Sequence, residues 1–582
     1  MAGMYTDEKS TLMLISLMKA HGVRRVVASP GMRNMCLVAS LQRDPDFEVY
    51  SSVDERSAAY IACGMAAETG EPVALSCTGA TASRNYLPGL TEAYYRKLPV
   101  LAITSTKHVG EIGQLKAQTV DRRVSPNDVV RMSVQVPMVR CAEDRKSNNV
   151  LINTALLELR RHGGGPVHIN LETACSRDFS TEELPGERVI MRHGLFSTSL
   201  PPLRPGRVGV FVGAHPRWSE RLTQAVDRFC EVYDAVVFCD NTSNYQGKFR
   251  VNPTIVGCQR SYRSKLCEVS TLVHIGEVSG ASYMRVLPSH VWRVSPDGEV
   301  RDTFGKLDNV FEMDELAFFE VYGGVEGAGE PATGYRDAWL AECARLRDKL
   351  PELPFSNARI AQMTTPRLLP GTKLHLGILN SLRTWNFCDL PAGVSCFSNT
   401  GGFGIDGLAS TALGAALADP SSPCVVVLGD LAFFYDMNSL GNRHVPANLR
   451  ILLVNNGLGM EFRNYGHPAS CLGEEVDPYV AAAGHYSNKS REVVRHYAED
   501  MGFEYLRASS EEEFLGVVDR LVAADIGERP LVVEAFTSVE DEYAALERLQ
   551  NVARDAKGTA LSVAKTVLGQ RGVGTVKRML GR

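Results

Sequence analysis

The sequence predicts an α/β protein of three doubly wound parallel-sheet domains. Short Val- and Ile-rich runs bounded by Gly, Pro, Asn or Asp alternate with amphipathic stretches, the pattern of βαβ units around a parallel sheet. At 582 residues the chain exceeds what one hydrophobic core holds, and domains of about 100–200 residues give three or four units. Two aperiodic, Pro-containing segments then separate three such units.

The first domain, residues 1–185, carries VRRVVASP at 23–30, VALSCTG at 73–79, PVLAITST at 99–106 and GPVHINLE at 165–172. Residues 186–204 lack either periodicity and read as a linker. The central domain, 205–340, opens on RVGVFVGAHP with a strand ending at Gly213 and continues through VYDAVVFCD and STLVHIGE. GYRDAWLAECARLRDKL at 334–350 has helical spacing, and PELPFSNAR leads into the third domain, 355–552, with its runs CVVVLGD, LRILLVNNG and RPLVVEAF. Residues 553–582 are basic and read as an appended C-terminal tail without assigned chemistry. No repeat of 20–50 residues is found, although the first and third domains share a general βα pattern.

Composition excludes several functions. Apolar residues make up 44% and charged residues 22%, and no apolar run approaches the roughly 20 residues that span a bilayer. With no secretory pattern at MAGMYTDEKS, the expectation is a cytoplasmic protein without a membrane span. A formal net charge of −5 offers no basic surplus for nucleic acid. The fourteen cysteines form no CxxC or CxxxC pair, so a zinc site is not expected and the thiols read as reduced, mostly buried small hydrophobes.

The most informative stretch runs from 425 to 459. One buried run ends at Gly429 and Asp430; a second, LRILLV, leads to Asn456, 26 positions after the aspartate. That order puts an acid and an amide at the carboxyl ends of two parallel strands, the edge where open α/β sheets bind ligands. A hard divalent cation that keeps diphosphate oxygens in its shell needs from the protein little more than one carboxylate, one amide oxygen and one backbone carbonyl. In the first domain, YSSVDERSAAYIACGMA places Glu55 at a strand-to-helix junction, where a carboxyl can be shielded and its pKa tuned; Asp54 and Glu55 also suit the positive end of a helix.

The GD(x)24-27NN pattern resembles the metal-diphosphate motif of thiamine diphosphate enzymes, although Leu431 stands where most members have Gly, a departure shared by one branch. The resemblance implies thiamine diphosphate and Mg2+ as cofactors, with Mn2+ as an alternative ion, and metal ligands Asp430, Asn456 and the carbonyl of Leu458. It implies Glu55 as the acid that donates to the pyrimidine N1′, and Thr78, Gly79, Asn380, Ser381, Gly429, Leu431 and Ala432 beside the cofactor. Ile405 takes the place of the apolar wedge that bends it. It also implies a dimer or tetramer whose active site lies at the subunit interface. FAD is not expected, since VFVGAHP is too weak a dinucleotide signature.

ASPGMRN, VDERSAAYIACGMA, AQTVD, GIDGLASTALG and GDLAFFYDMN further resemble one branch over about residues 5–545, the menaquinone-pathway synthases that make 2-succinyl-5-enolpyruvyl-6-hydroxy-3-cyclohexene-1-carboxylate. Those enzymes decarboxylate 2-oxoglutarate and add the succinyl unit to isochorismate. The resemblance implies Arg33, Gln118 and Lys107 as catalytic or substrate-binding residues. The departures are as informative: Met32 replaces a serine, Thr400 and Trp385 replace arginines, and GEVSGASYMRVLP lacks a Lys-Arg pair, with only Arg285 nearby. Arg383 could partly compensate, and Glu461 stands where the branch has an apolar residue, as a proton-transferring group or a salt-bridge partner. Removing the arginine from one bidentate arginine–carboxylate pair costs about 1.5–3 kcal/mol, so a paralogue with a smaller or less acidic donor or acceptor is expected. The expected reaction is decarboxylation of a 2-keto acid with transfer of the acyl carbanion to an acceptor. Simple decarboxylation with a proton as acceptor, for which His108, Glu461 and His467 are candidate donors, and the branch's own synthase reaction are the alternatives; retention of Glu55, Asp430 and Asn456 speaks against a catalytically dead binding protein.

Overall fold

A computed structural model describes residues 5–324 and 333–553. Apart from Ala553, the expected C-terminal tail lies outside these residues. The chain forms two units: residues up to 198 with 297–312, and residues 199–296 with those from 313 onward.

In the first unit the β-branched runs become β1 (Arg25–Ala28), β2 (Glu48–Ser51), β3 (Val73–Cys77), β4 (Val100–Thr106), β5 (Met132–Val136) and β6 (Val167–Glu172). All pair in parallel in the order β2-β1-β3-β4-β6-β5. β3 and β6 are buried throughout, as expected for strands covered on both faces. Leu14, Ile15 and Met18 of helix Lys9–Ala20 and Ile152 and Leu156 of helix Ala142–Glu158 fill one core. Ala58, Ala62 and Ala66 of helix Glu55–Thr69 and Leu90 of helix Leu87–Arg96 fill another. Gly89 lets those two helices approach, since a Cβ there would collide with that of Ala59.

Residues 186–204, read from sequence as an unstructured linker, contain β7 (Met191–Gly194). Four residues are too few for either periodicity to register. In the second unit, β8 (Val208–Val212), β9 (Val236–Cys239), β10 (Arg250–Val251), β11 (Glu268–Ile275) and β12 (Leu287–Ser295) pair in parallel in the order β10-β9-β8-β11-β12. β13 (Leu307–Glu312) pairs in parallel with β7.

The third sheet comprises β14 (Lys373–Leu376), β15 (Ser395–Phe397), β16 (Cys424–Gly429), β17 (Leu449–Asn455), β18 (Glu504–Ala508) and β19 (Leu531–Phe536), in the order β15-β14-β16-β17-β19-β18. This repeats the connectivity of the first sheet. One face packs on helices Asn357–Thr364 and Glu511–Val522, the other on Leu408–Ala418 and Val493–Asp500. In both sheets the strand order reverses beside the first strand, between β1 and β3 and between β14 and β16, and such switch points open a ligand crevice at the carboxyl ends.

Candidate cofactor and active site

At that edge of the third sheet, β16 and β17 run side by side with Gly429 opposite Val454. Each strand is followed directly by a polar residue, Asp430 after β16 and Asn456 after β17. Asp430 opens helix Asp430–Asp436 and is only 3% exposed. Burial pushes its carboxyl up to about 7, against the pull of the backbone N–H groups of Leu431, Asp430 and Gly457. Asn456 follows β17, and its Oδ1 is buried without a hydrogen-bond partner. Gly457 makes the turn at φ 82°, where a Cβ would meet the Asn488 amide at 2.5 Å. Leu458 is then anchored with Met460, Val476 and Ala481 in a small apolar cluster, and Gly459 donates to the Ala481 carbonyl at 2.6 Å.

A desolvated carboxylate and an unsatisfied amide oxygen on adjacent strand ends are the donor chemistry a hard divalent cation takes. Among the described residues no group of three or more His, Cys, Asp or Glu could hold a metal ion, so this oxygen set is of the sparse kind that leaves room for diphosphate oxygens. Gly429 and Leu431 are half-buried and Ala432 is buried around it.

Asn380 and Ser381 begin helix Asn380–Trp385 just after β14, at the switch point. The preceding Leu379 holds φ 67°, a strained conformation for a bulky residue and one that clusters at ligand sites. Asn464 donates to Asn380 Oδ1 at 2.8 Å, tying this helix to the loop that follows Leu458. Ser381 is buried, and Ile405 is half-buried where the two cores of the third sheet meet. Thr400 is buried against Gly280, whose Cβ would stand 3.5 Å from its methyl.

One expected substrate residue is placed differently from the expectation. Trp385 is wholly buried in the sheet core, and its indole N–H donates to Asn357 Oδ1 at 2.8 Å. The ring therefore does not border the cleft: an apolar residue on the inner face of a helix that packs on the sheet joins the core. Arg383, two positions earlier, stays at the cleft and forms an ion pair with Glu461. Of the two roles open to Glu461, the salt bridge is the one seen.

In the first unit the expected residues also follow successive strands at one sheet edge: Arg33 after β1, Glu55 after β2, Thr78 and Gly79 after β3, Lys107 after β4. Asp54 caps helix Glu55–Thr69, accepting from the N–H groups of Arg56 at 2.8 Å and Ser57 at 3.3 Å. Glu55 is half-buried and accepts from Asn85 Nδ2 at 3.3 Å, so this chain alone does not supply the shielding expected around it. Gly79 brings two loops together, since a Cβ there would stand 3.0 Å from the Gln118 carbonyl. Gln118 itself is exposed, Arg33 donates to the Thr173 carbonyl at 3.1 Å, Met32 is 68% exposed, and Lys107 lies 3.6 Å from Glu111. His108 and His467 each accept a backbone N–H at 3.1 Å and cap short turns. Sequence reasoning missed Asn357, at the start of helix Asn357–Thr364, and Asn464 and Tyr283, which have no local motif to mark them.

All fourteen cysteines are free, and most are buried. Among the described residues no helix is long and apolar enough to cross a membrane.

Comparison with known proteins agrees with the geometry. The family model of the N-terminal TPP binding domain of thiamine pyrophosphate enzymes matches residues 10–125. A 2-succinyl-5-enolpyruvyl-6-hydroxy-3-cyclohexene-1-carboxylate synthase from Bacteroides fragilis is 32% identical over 92% of this chain and 97% of its own length. One of the same name from Desulfotalea psychrophila is 30% identical over 89% of this chain and 96% of its own. Among solved structures, the thiamine diphosphate-dependent 4-hydroxybenzoylformate decarboxylase of Rhodococcus jostii RHA1 matches at a TM-score of 0.40 and 17% identity, over 91% of this chain and 99% of that one. The chain thus belongs to the family of thiamine pyrophosphate enzymes that includes the 2-succinyl-5-enolpyruvyl-6-hydroxy-3-cyclohexene-1-carboxylate synthases.

Proposed function

We propose that this enzyme decarboxylates a 2-keto acid with thiamine diphosphate and Mg2+ and joins the acyl unit to an acceptor, forming a carbon–carbon bond. The observation that carries the reading is the pairing of the buried Asp430 carboxyl with the unpartnered Asn456 Oδ1 on adjacent strand ends of a chain that aligns along its length with synthases of this family. Asp430, Asn456 and the Leu458 carbonyl would hold the cation and, through it, the diphosphate. Asn380, Ser381, Gly429, Leu431 and Ala432 would line its seat, and Ile405 would hold the two rings bent. When bound, thiamine diphosphate supplies the electron sink for the bond broken as CO2 leaves. Glu55 holds a proton at the pyrimidine N1′, favouring the tautomer whose N4′ acts as base. Thr78 and Gly79 would flank that ring, and Arg33, Lys107 and Gln118 would orient substrate. Because Glu55 lies half-exposed in its own unit, the reading includes a homodimer or homotetramer in which a second subunit covers it.

The reaction named for the relatives, with 2-oxoglutarate and isochorismate, is the second reading, favoured by the 32% identity. Against it stand buried Thr400 and core Trp385 in place of arginines, exposed Met32 in place of a serine, and the segment 276–288, which lacks a Lys-Arg pair and holds only Arg285. Purified enzyme with Mg2+ and thiamine diphosphate is given a panel of 2-keto acids, CO2 is measured, and acceptors are added singly. CO2 from at least one acid, with product formed only when an acceptor is present, supports carboligation; CO2 and aldehyde alone indicate simple decarboxylation. Disappearance of isochorismate with 2-oxoglutarate at about 1–10 per second would show a menaquinone-pathway synthase.

A further inference from the structure

Within the second unit one ion pair stands where the donor's side chain would be read. Arg383 lies on helix Asn380–Trp385, one turn past the cofactor-seat residues Asn380 and Ser381, and Glu461 lies three residues past the metal ligand Leu458. The two pair through Arg383 Nη1 and Glu461 Oε1, with side chains 22% and 12% exposed. Arg383 Nε and Glu461 Oε2 are both buried without a partner, so the pair is joined at one corner. The neighbouring groups do not relieve it. Asn464 Nδ2 donates to Asn380 while its Oδ1 is buried without a partner, and burial and then the charge of Glu461 push the hydroxyl of Tyr283, from the segment that lacks the Lys-Arg pair, up to about 12.

We propose that Glu461 serves as a built-in counter-carboxylate for Arg383 and thereby restricts the donor to 2-keto acids whose side chain carries no charge. The inference rests on the decarboxylase reading above and names the substrate class for that site. A donor with a distal carboxylate, such as 2-oxoglutarate, meets an arginine already neutralised, and to reach it must separate Glu461 from its guanidinium partner at a partly buried position, which is unfavourable. An uncharged side chain of the same length leaves the pair intact. Selectivity thus comes from a repulsive element beside an arginine that would otherwise attract.

The test compares 2-oxopentanoate with 2-oxoglutarate, which differ by a terminal methyl against a carboxylate, on full-length holoenzyme loaded with Mg2+ and thiamine diphosphate. Wild type should favour 2-oxopentanoate at least tenfold in kcat/KM. Glu461→Gln should move that ratio at least tenfold toward 2-oxoglutarate, mainly through KM, and should tighten glutarate in a calorimetric titration. Adding Arg383→Met to Glu461→Gln should cancel both changes. A wild type that prefers 2-oxoglutarate overturns the proposal without any variant, and so does a cofactor-binding Glu461→Gln enzyme with an unchanged ratio. Release of CO2 from no 2-keto acid while the cofactor binds overturns the decarboxylase reading itself, and this inference falls with it.

Discussion

Asp430 should destabilise the cofactor-free fold at neutral and higher pH, and Asp430→Asn tests this directly. Burial lifts its carboxyl from an ordinary 3.8 to about 7, a penalty on the ionised form of about 4 kcal/mol. The folded chain holds a proton that the unfolded chain has released. The corresponding stability is therefore fully present below the unfolded value near 3.8 and is lost as pH rises through about 7. Asparagine has the same shape and no charge, but its N–H groups must be buried, at about 1–3 kcal/mol. Metal-free Asp430→Asn should match or fall below wild type at pH 4 and exceed it at pH 8 by about 1–3 kcal/mol. For a domain of some 200 residues that is roughly 5 °C in melting temperature. With Mg2+ and thiamine diphosphate the order should invert at pH 8, because the bound cation pairs the wild-type charge and stabilises only the protein that binds it. The assay is thermal unfolding at pH 4, 6 and 8 with and without both ligands, followed by fluorescence. If the two proteins melt together at every pH, or gain equally from the ligands, Asp430 is neither an unpaired buried charge nor a metal ligand.

Other outcomes follow from the same geometry. Glu55→Gln should keep thiamine diphosphate bound while abolishing hydrogen exchange at its C2 carbon, read by NMR; wild-type exchange in the variant would remove Glu55 from the chemistry. Mixing inactive Glu55→Gln with inactive Asp430→Ala should restore part of the activity through hybrid sites, provided subunits exchange, whereas no recovery despite demonstrated exchange would place each site within one chain. Trp385→Ala should cost about 3–5 kcal/mol in urea unfolding, since it empties a fully buried site and strands Asn357 Oδ1, and a loss below about 1 kcal/mol would contradict the core position of the ring.

The three parallel sheets and the placement of Asp430 and Asn456 were legible in the sequence because both depend on short-range signals. A run such as VVVLG can be satisfied only by a strand covered on both faces, and the residue after it must emerge at the carboxyl edge. The same logic placed Glu55, and Arg33, Thr78 and Lys107, implied by the resemblance, each likewise follow a strand of the first sheet. What the tertiary structure decided was side-chain direction and partnership. Arg383 and Trp385 are two residues apart on one short helix, and their spacing does not say which turns inward; packing against the third sheet sends the indole into the core and leaves the guanidinium to Glu461. Likewise β7 forms only because β13, more than a hundred residues later, offers it a parallel neighbour. Periodicity records which residues share a face with their neighbours in the chain; it holds no record of the distant loop that will cover that face or of the charge that will meet it there.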